Sequence, residues 1–314
     1  MGGVLLFGLC ALPAWPADAP DLRVEVDLVR VPCVVTDRDG APVRGLRPED
    51  FVVLDNGAPQ PLKYLWQEDA LRLTLGVIVD VSGAGQWESN REIVDLFLSR
   101  VLGPGDRAFL ATVGPQVKLV QDFTGSAAEL QQAAESIDKR QSSGELFGES
   151  CTIPAWWRSG CWGTALWNAV YSASRLRMKG PSGRKALIVI TDGWDRGSNR
   201  SLTEAIEAAQ SAETLVYVIR STPRLYKLIA GSAGLSAGHA RDLKRLAQET
   251  GGRGFELHGN LSAIFDSIEQ ELRAQYVLAF TPPSDHRGEL RRLKVTARRA
   301  GLSVRARQAY YAIP

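Results

Sequence analysis

The chain has 314 residues, 45% of them hydrophobic and 23% charged, with a formal charge of +2. This composition is globular, and the length suits two domains, or one large domain with an attachment. The near-balanced charge argues against an anionic polymer as partner. No internal stretch reaches the ~18 apolar residues that cross a bilayer.

The first segment, MGGVLLFGLCALPAWPADAP, differs from the rest. A short apolar run is followed by Pro13, Pro16 and the small-residue triplet Ala17-Asp18-Ala19. Residues 1–19 therefore read as a signal peptide, although no Lys or Arg precedes Val4. A buried N-terminal strand is the alternative. Export implies a periplasmic or extracellular, oxidising location. Beyond Cys10 in this leader, Cys33 lies in VRVPCVVTD and reads as a buried free thiol. Cys151 and Cys161 bracket TIPAWWRSG and read as a disulfide closing a small loop. Without a nearby His, C-x9-C is a poor zinc pattern.

Residues 22–53 alternate and are rich in valine, with turn dipeptides at Asp39-Gly40 and Asn56-Gly57. They predict a small antiparallel β module. From Leu71 onward strands and helices alternate. LRLTLGVIVD is a strand, residues 87–101 have helical spacing, and RAFLATV and VKLVQDF are strands. Ser126-Ala127-Ala128-Glu129 and Ser201-Leu202-Thr203-Glu204 read as capping boxes. Residues 140–163 are irregular, 164–178 helical, KALIVIT and LVYVI strands, and 242–249 and 261–272 helices. This order predicts a mainly parallel, doubly wound α/β sheet with helices on both faces.

QYVLAF, ELRRLKVTARR and LSVRARQAYY then read as three antiparallel strands. Neither chain end can bury a face alone, so both ends are expected to form one small antiparallel β-sandwich. The expected units are residues 20–70 for the N-terminal β module, 71–274 for the α/β domain, and 275–314 for strands packing on the first module. The tail is basic, but it lacks interleaved aromatics to stack bases, which argues against nucleic acid.

Sites in open α/β sheets lie outside the carboxyl ends of the strands. GVIVDVSGAG brings Asp80 and Ser82 there, KALIVITDGWD brings Asp192, and CWGTAL brings Thr164 at a helix start. Two carboxylates and two hydroxyls thus reach one rim. Hard divalent cations take oxygen ligands, and Mg²⁺ in particular is held by few protein groups.

DVSGA, WGTAL and VITDGWD resemble the three loops of the metal-ion-dependent adhesion site in von Willebrand factor type A domains. LVRVPCVVTDRDGAPVRGLRPEDFVVLDNG, LGPGDRAFLATVG, LAQETGGRGFEL and ARQAYYA further resemble the acidobacterial group of such proteins. The resemblance implies a metal site of Asp80, Ser82, Thr164 and Asp192 for Mg²⁺ or Mn²⁺, with Ca²⁺ as a further candidate. It also implies a protein partner whose acidic side chain completes the ion's shell. Ala84 stands where that family has a second hydroxyl, so the implied site is degenerate. The alternative is a relic rim, in which Asp80 and Asp192 cap backbone amides.

Trp156, Trp157 and Trp162, beside the expected disulfide, would crown the same rim as a recognition loop, or fold down over a satellite core. Gly234-Leu235-Ser236-Ala237-Gly238 matches a nucleophile elbow in letters, but a glycine- and serine-rich stretch precedes it where a strand is required. A flexible loop is the better account there. DVS also breaks the Asp-x-Asp of haloacid-dehalogenase-like phosphatases. The sequence therefore favours a non-catalytic, exported interaction protein, with metal-independent periplasmic scaffolding as the alternative.

Overall fold

The structure is a computed structural model that describes residues 28–67, 72–82, 86–137, 145–147, 163–181, 183–221, 233–257, 260–283 and 288–312. Its centre is strand β5 (Leu73–Asp80), buried at every residue. Parallel neighbours are β9 (Arg184–Thr191) on one side and β6 (Arg107–Val113) on the other. The strands β10 (Leu215–Arg220) and β11 (Gly254–Glu256) extend the sheet beyond β9. Beyond β6 come two antiparallel strands, β7 (Val117–Thr124) and β8 (Glu145–Leu146).

Side chains alternate across the central strands, so each face carries its own core. Leu75, Val77 and Val79 pack under helices α1 (Gln86–Val101), α2 (Ala127–Glu135) and α6 (Leu261–Arg273). Ile78, Leu187 and Val189 pack under α3 (Leu166–Ala173), α4 (Leu202–Ser211) and α5 (Ala233–Thr250). This is the doubly wound α/β sheet that the sequence predicts.

The two chain ends build two antiparallel sheets around one further core. One sheet runs in the order β14 (Ser303–Ala306), β1 (Val29–Thr36), β12 (Tyr276–Phe280), β4 (Tyr64–Trp66). The other runs β15 (Ala309–Tyr311), β13 (Leu290–Ala297), β2 (Phe51–Asp55), β3 (Ala58–Gln60). Between them lie Val31, Val35, Phe51, Leu278, Phe280 and Tyr310. Cys33 is buried there as a free thiol, and burial raises its pKa far above the ordinary range.

Several elements depart from the sequence expectations. LSVRARQAYY is two strands in different sheets. Arg307 turns inward between them, donating to the carbonyls of Gln210 and Arg30 at 2.6 Å each, and Gln308 N donates to Glu249 O at 2.9 Å. Those bonds tie the chain to the α/β body at the corner where it changes sheet. The stretch read as a flexible loop around Ser236 belongs to α5, which begins at Ala233. Its glycines and serine are small residues that a long helix absorbs at modest cost. The capping box at Ser126 is half formed: Ser126 Oγ accepts from Glu129 N, but Glu129 accepts from Thr124 Oγ1 at 2.6 Å. The box at Ser201–Glu204 is complete. The helix expected to 178 ends as an α-helix at Ala173 and continues as a π-turn, Ser174–Met178. The segment read as irregular contributes the short β8, and β11 was not foreseen.

Strand β9 opens with adjacent cations on opposite faces. Arg184 Nη1 donates to the carbonyls of Leu272 and Arg273 at the end of α6, and Lys185 Nζ donates to Met178 O at the end of the π-turn. Cations at helix C-termini satisfy orphan carbonyls and the helix dipole together.

In the sandwich core, Asp55 accepts from Arg291 Nε at 2.8 and 2.9 Å and from Tyr310 Oη at 2.9 Å. Asp55 is 0% and Arg291 5% exposed. Removing one partner of such a buried pair strands the other charge. Asp55→Ala is expected to cost about 3–5 kcal/mol in urea unfolding. A double variant, Asp55→Leu with Arg291→Met, is expected to recover most of that loss.

Candidate functional site

The rim is assembled by alternation and register. Asp80 is the last residue of β5, and Val79 pairs with Ile190, so Asp80 stands level with Thr191. Both side chains turn to the face under α3, α4 and α5. Thr191 Oγ1 donates to Asp80 Oδ2 at 2.7 Å, while Ser82 donates to Asp80 Oδ1 through Oγ at 2.6 Å and N at 3.0 Å. Thr164 Oγ1 in turn donates to Ser82 Oγ at 2.6 Å. From behind, the buried Asn90 of α1 donates to the Asp80 carbonyl at 2.7 Å.

Asp192 Oδ1 accepts from Trp194 N at 3.0 Å, which turns the loop after β9. Gly193 takes φ +93, and a Cβ there would come within 2.7 Å of Leu243 on α5. Trp194 is stacked on His239 at 4.5 Å between ring centroids, with the Arg196 guanidinium 4.1 Å over its ring. The same loop holds Thr164: Arg196 N donates to Thr164 O at 2.9 Å. A Cβ on Gly163 would lie 2.2 Å from Arg196 O, so only glycine allows this approach. Asp195 Oδ1 and Ser198 Oγ accept the N–H groups of Trp167 and Asn168 at the start of α3.

The structure thus brings Asp80, Ser82, Thr164 and Asp192 together at one rim. Ala84, Trp156, Trp157, Trp162, Cys151 and Cys161 lie outside the described residues, as does the leader. Sequence reading missed Thr191 and Asn90. Thr191 carried a signal, since a hydroxyl on the last position of β9 faces the same way as Asp80 once the two strands are paired. Asn90 had none beyond a polar residue in a helix that packs on the sheet.

Among the described residues, Asp80 at the centre of the rim has no cationic partner. Asp80 is 0% exposed, and burial first, then the negative charge of Asp192, push its carboxyl up to about 6, against hydrogen bonds from Ser82 and Thr191. Burial also raises Asp192, opposed by its bond from Trp194 and by neighbouring His239 and Arg220. Among the described residues no three His, Cys, Asp or Glu side chains group as metal ligands. The donors here are instead two carboxylates with hydroxyls, all hard oxygens. A buried carboxylate with no ion pair among the described residues, facing a second carboxylate, fits a divalent cation. The amide contacts of Asp80 and Asp192 also suit the relic alternative.

A doubly wound, mainly parallel sheet with these loops gathered at its carboxyl edge is the fold that the sequence resemblance to von Willebrand A-type domains implies. The sequence matches no family model and no curated protein. Among solved structures, the chain is similar to a von Willebrand factor type A protein from Catenulispora acidiphila, at 12% identity and a TM-score of 0.47, over 92% of this chain and 74% of that one. It is similar to BatB from Bacteroides thetaiotaomicron at 15% identity and a TM-score of 0.45, over 63% of this chain and 98% of that one. It is also similar to proximal thread matrix protein 1 from the mussel byssus, at 15% identity and a TM-score of 0.46, over 70% and 51%. No helix among the described residues is long and apolar enough to cross a membrane.

Asp80 supplies a pH signature. Its folded pKa of about 6 lies above the ordinary carboxylate value of 3.8, so the folded state binds the proton more tightly. In the presence of chelator its contribution to stability is greatest at low pH and falls as pH rises from about 4 to about 6, by at most ~3 kcal/mol. Asp80→Asn is expected to remove that slope and to be the more stable protein above pH 6 in thermal melts with EDTA. Identical pH profiles for the two proteins would contradict it.

Proposed function

We propose that the protein is a non-catalytic, exported interaction protein whose rim holds a divalent cation, Mg²⁺ or Mn²⁺, and through it a protein partner. The supporting observation is the buried Asp80 carboxylate, hydrogen-bonded among the described residues only to uncharged groups and facing Asp192. A cation set against Asp80, Ser82, Thr164 and Asp192 would neutralise the two carboxylates and accept lone pairs from the two hydroxyls. A partner's Asp or Glu would fill a remaining position of its shell, and waters the others. Ca²⁺ suits the same oxygens, in a looser shell.

The chain's own residues have separable tasks in this reading. Asp80 supplies the central charge, with Thr191 and Asn90 fixing its orientation. Ser82 and Thr164 present hydroxyl oxygens toward the ion. Asp192 supplies a second charge at the mouth of the rim. The missing oxygen at Ala84 leaves one position to water. A lost charge-assisted contact weakens affinity by about 1.5–3 kcal/mol, or roughly ten- to a hundred-fold. The sequence-level alternative, metal-independent scaffolding, shares the fold and differs in one respect: it is indifferent to chelator.

The test is calorimetric titration of the purified protein with Mg²⁺ and Mn²⁺. Binding in the millimolar range is expected, tightened about ten-fold or more in Ala84→Ser and abolished in Thr164→Val. No binding of either ion by Ala84→Ser would contradict the reading and leave the scaffold.

A further inference from the structure

Away from the rim, a cleft of about 690 Å³ opens where the α/β body meets the β-sandwich. Volumes of this size are typical of small-molecule sites, which favour junctions between structural units. Tyr171 of α3 forms one wall, and Tyr310 and Tyr311 of β15 form another. Tyr171 on α3, Arg175 in the π-turn that follows and Lys179 at its C-cap recur every four residues. Such π-turns often mark functional positions.

The charges lining the cleft are unevenly satisfied. Its three acids are all engaged: Glu204 caps α4 and pairs with Arg200 at 2.9 Å, Glu207 accepts from Tyr311 Oη at 3.1 Å, and Glu213 lies 3.8 Å from Arg30. Arg175 and Lys179 are exposed and form no ion pair or hydrogen bond among the described residues. Arg307 is only 8% exposed, yet its guanidinium bonds to neutral carbonyls, those of Gln210 and Arg30, and lies 5.8 Å from the Tyr310 ring centroid. Arg175 and Lys179 therefore face the cavity without a carboxylate partner among the described residues, with Arg307, which also feels Glu213, beneath them and three aromatic rings beside them.

We propose that this cleft binds a small organic anion, with its carboxylate or phosphate against Arg175 and Lys179 and its apolar body against the tyrosines. Arg307 holds the sheet-switching corner in place and adds positive potential from beneath. Occupancy would bridge α3, α4 and β15, and so couple the α/β body to the sandwich. The site shares no residue with the rim and needs no metal.

The test is titration of the full chain in EDTA with phenylacetate, phenyl phosphate, inorganic phosphate and neutral phenylacetamide, followed by calorimetry. At least one aromatic anion is expected to bind about ten-fold or more tightly than both phenylacetamide and inorganic phosphate. The double variant Arg175→Gln, Lys179→Gln is expected to weaken that binding by a similar factor with at most a small fall in thermal midpoint, because both side chains are exposed at the end of the helix. Asp80→Asn is expected to leave it unaltered, which separates this site from the rim. Failure of both aromatic anions to bind at millimolar concentration would overturn the proposal. So would equal binding of phenylacetamide or inorganic phosphate, or binding unchanged in the double variant.

Discussion

The structure turns on a carboxylate at the end of its most buried strand. Asp80 closes a strand with no exposed residue and forms no ion pair among the described residues. Burying such a group is costly unless its lone pairs are met. Three hydroxyls meet them here in a relay, from Thr164 to Ser82 to Asp80 on one oxygen and from Thr191 on the other. That relay requires β5 and β9 in register, α3 starting beside them, and the loop after β9 folded back on Thr164. The position of each loop at the carboxyl edge follows from satisfying this one group.

A second set of buried charges joins the α/β body to the sandwich. Glu271 of α6 is 0% exposed and pairs with Arg253 at 3.1 Å and with Arg305 of β14 at 2.6 Å. Arg307 two residues later reaches the carbonyls of Gln210 in α4 and Arg30 in β1. Because Arg305 and Arg307 come from the closing segment, the end of the chain ties helices from both faces of the central sheet to the strand that opens the structure. A mutation in this seam is felt by both bodies, and the anion cleft beside it lies on the same seam.

Much of this was legible in the sequence, for identifiable reasons. Near-continuous apolar runs such as GVIV and ALIVI are buried on both faces in a covered parallel sheet, so the doubly wound core followed from pattern. Asp80 and Asp192 were legible as site residues because each ends such a run, and Ser82 because it follows two residues on. What the pattern hid were effects of tertiary contact. Arg307 was read within one basic strand, LSVRARQAYY, but its carbonyl partners draw it inward and the strand is split in two. Glu129 looked like half of a capping box until Thr124 competed for it. The stretch around Ser236 looked like a linker from its glycines, yet it is taken into α5. Thr191 was overlooked because its role depends on the register between β5 and β9, which no single strand encodes.

The most direct test of the cation-bearing rim is a crystal structure of the protein grown with Mn²⁺, with anomalous diffraction locating the ion. The account expects one anomalous peak at the rim, coordinated by the Ser82 and Thr164 hydroxyls and lying against Asp80 and Asp192. A rim without a peak at saturating Mn²⁺, with the Thr164–Ser82–Asp80 hydrogen bonds intact, would contradict it.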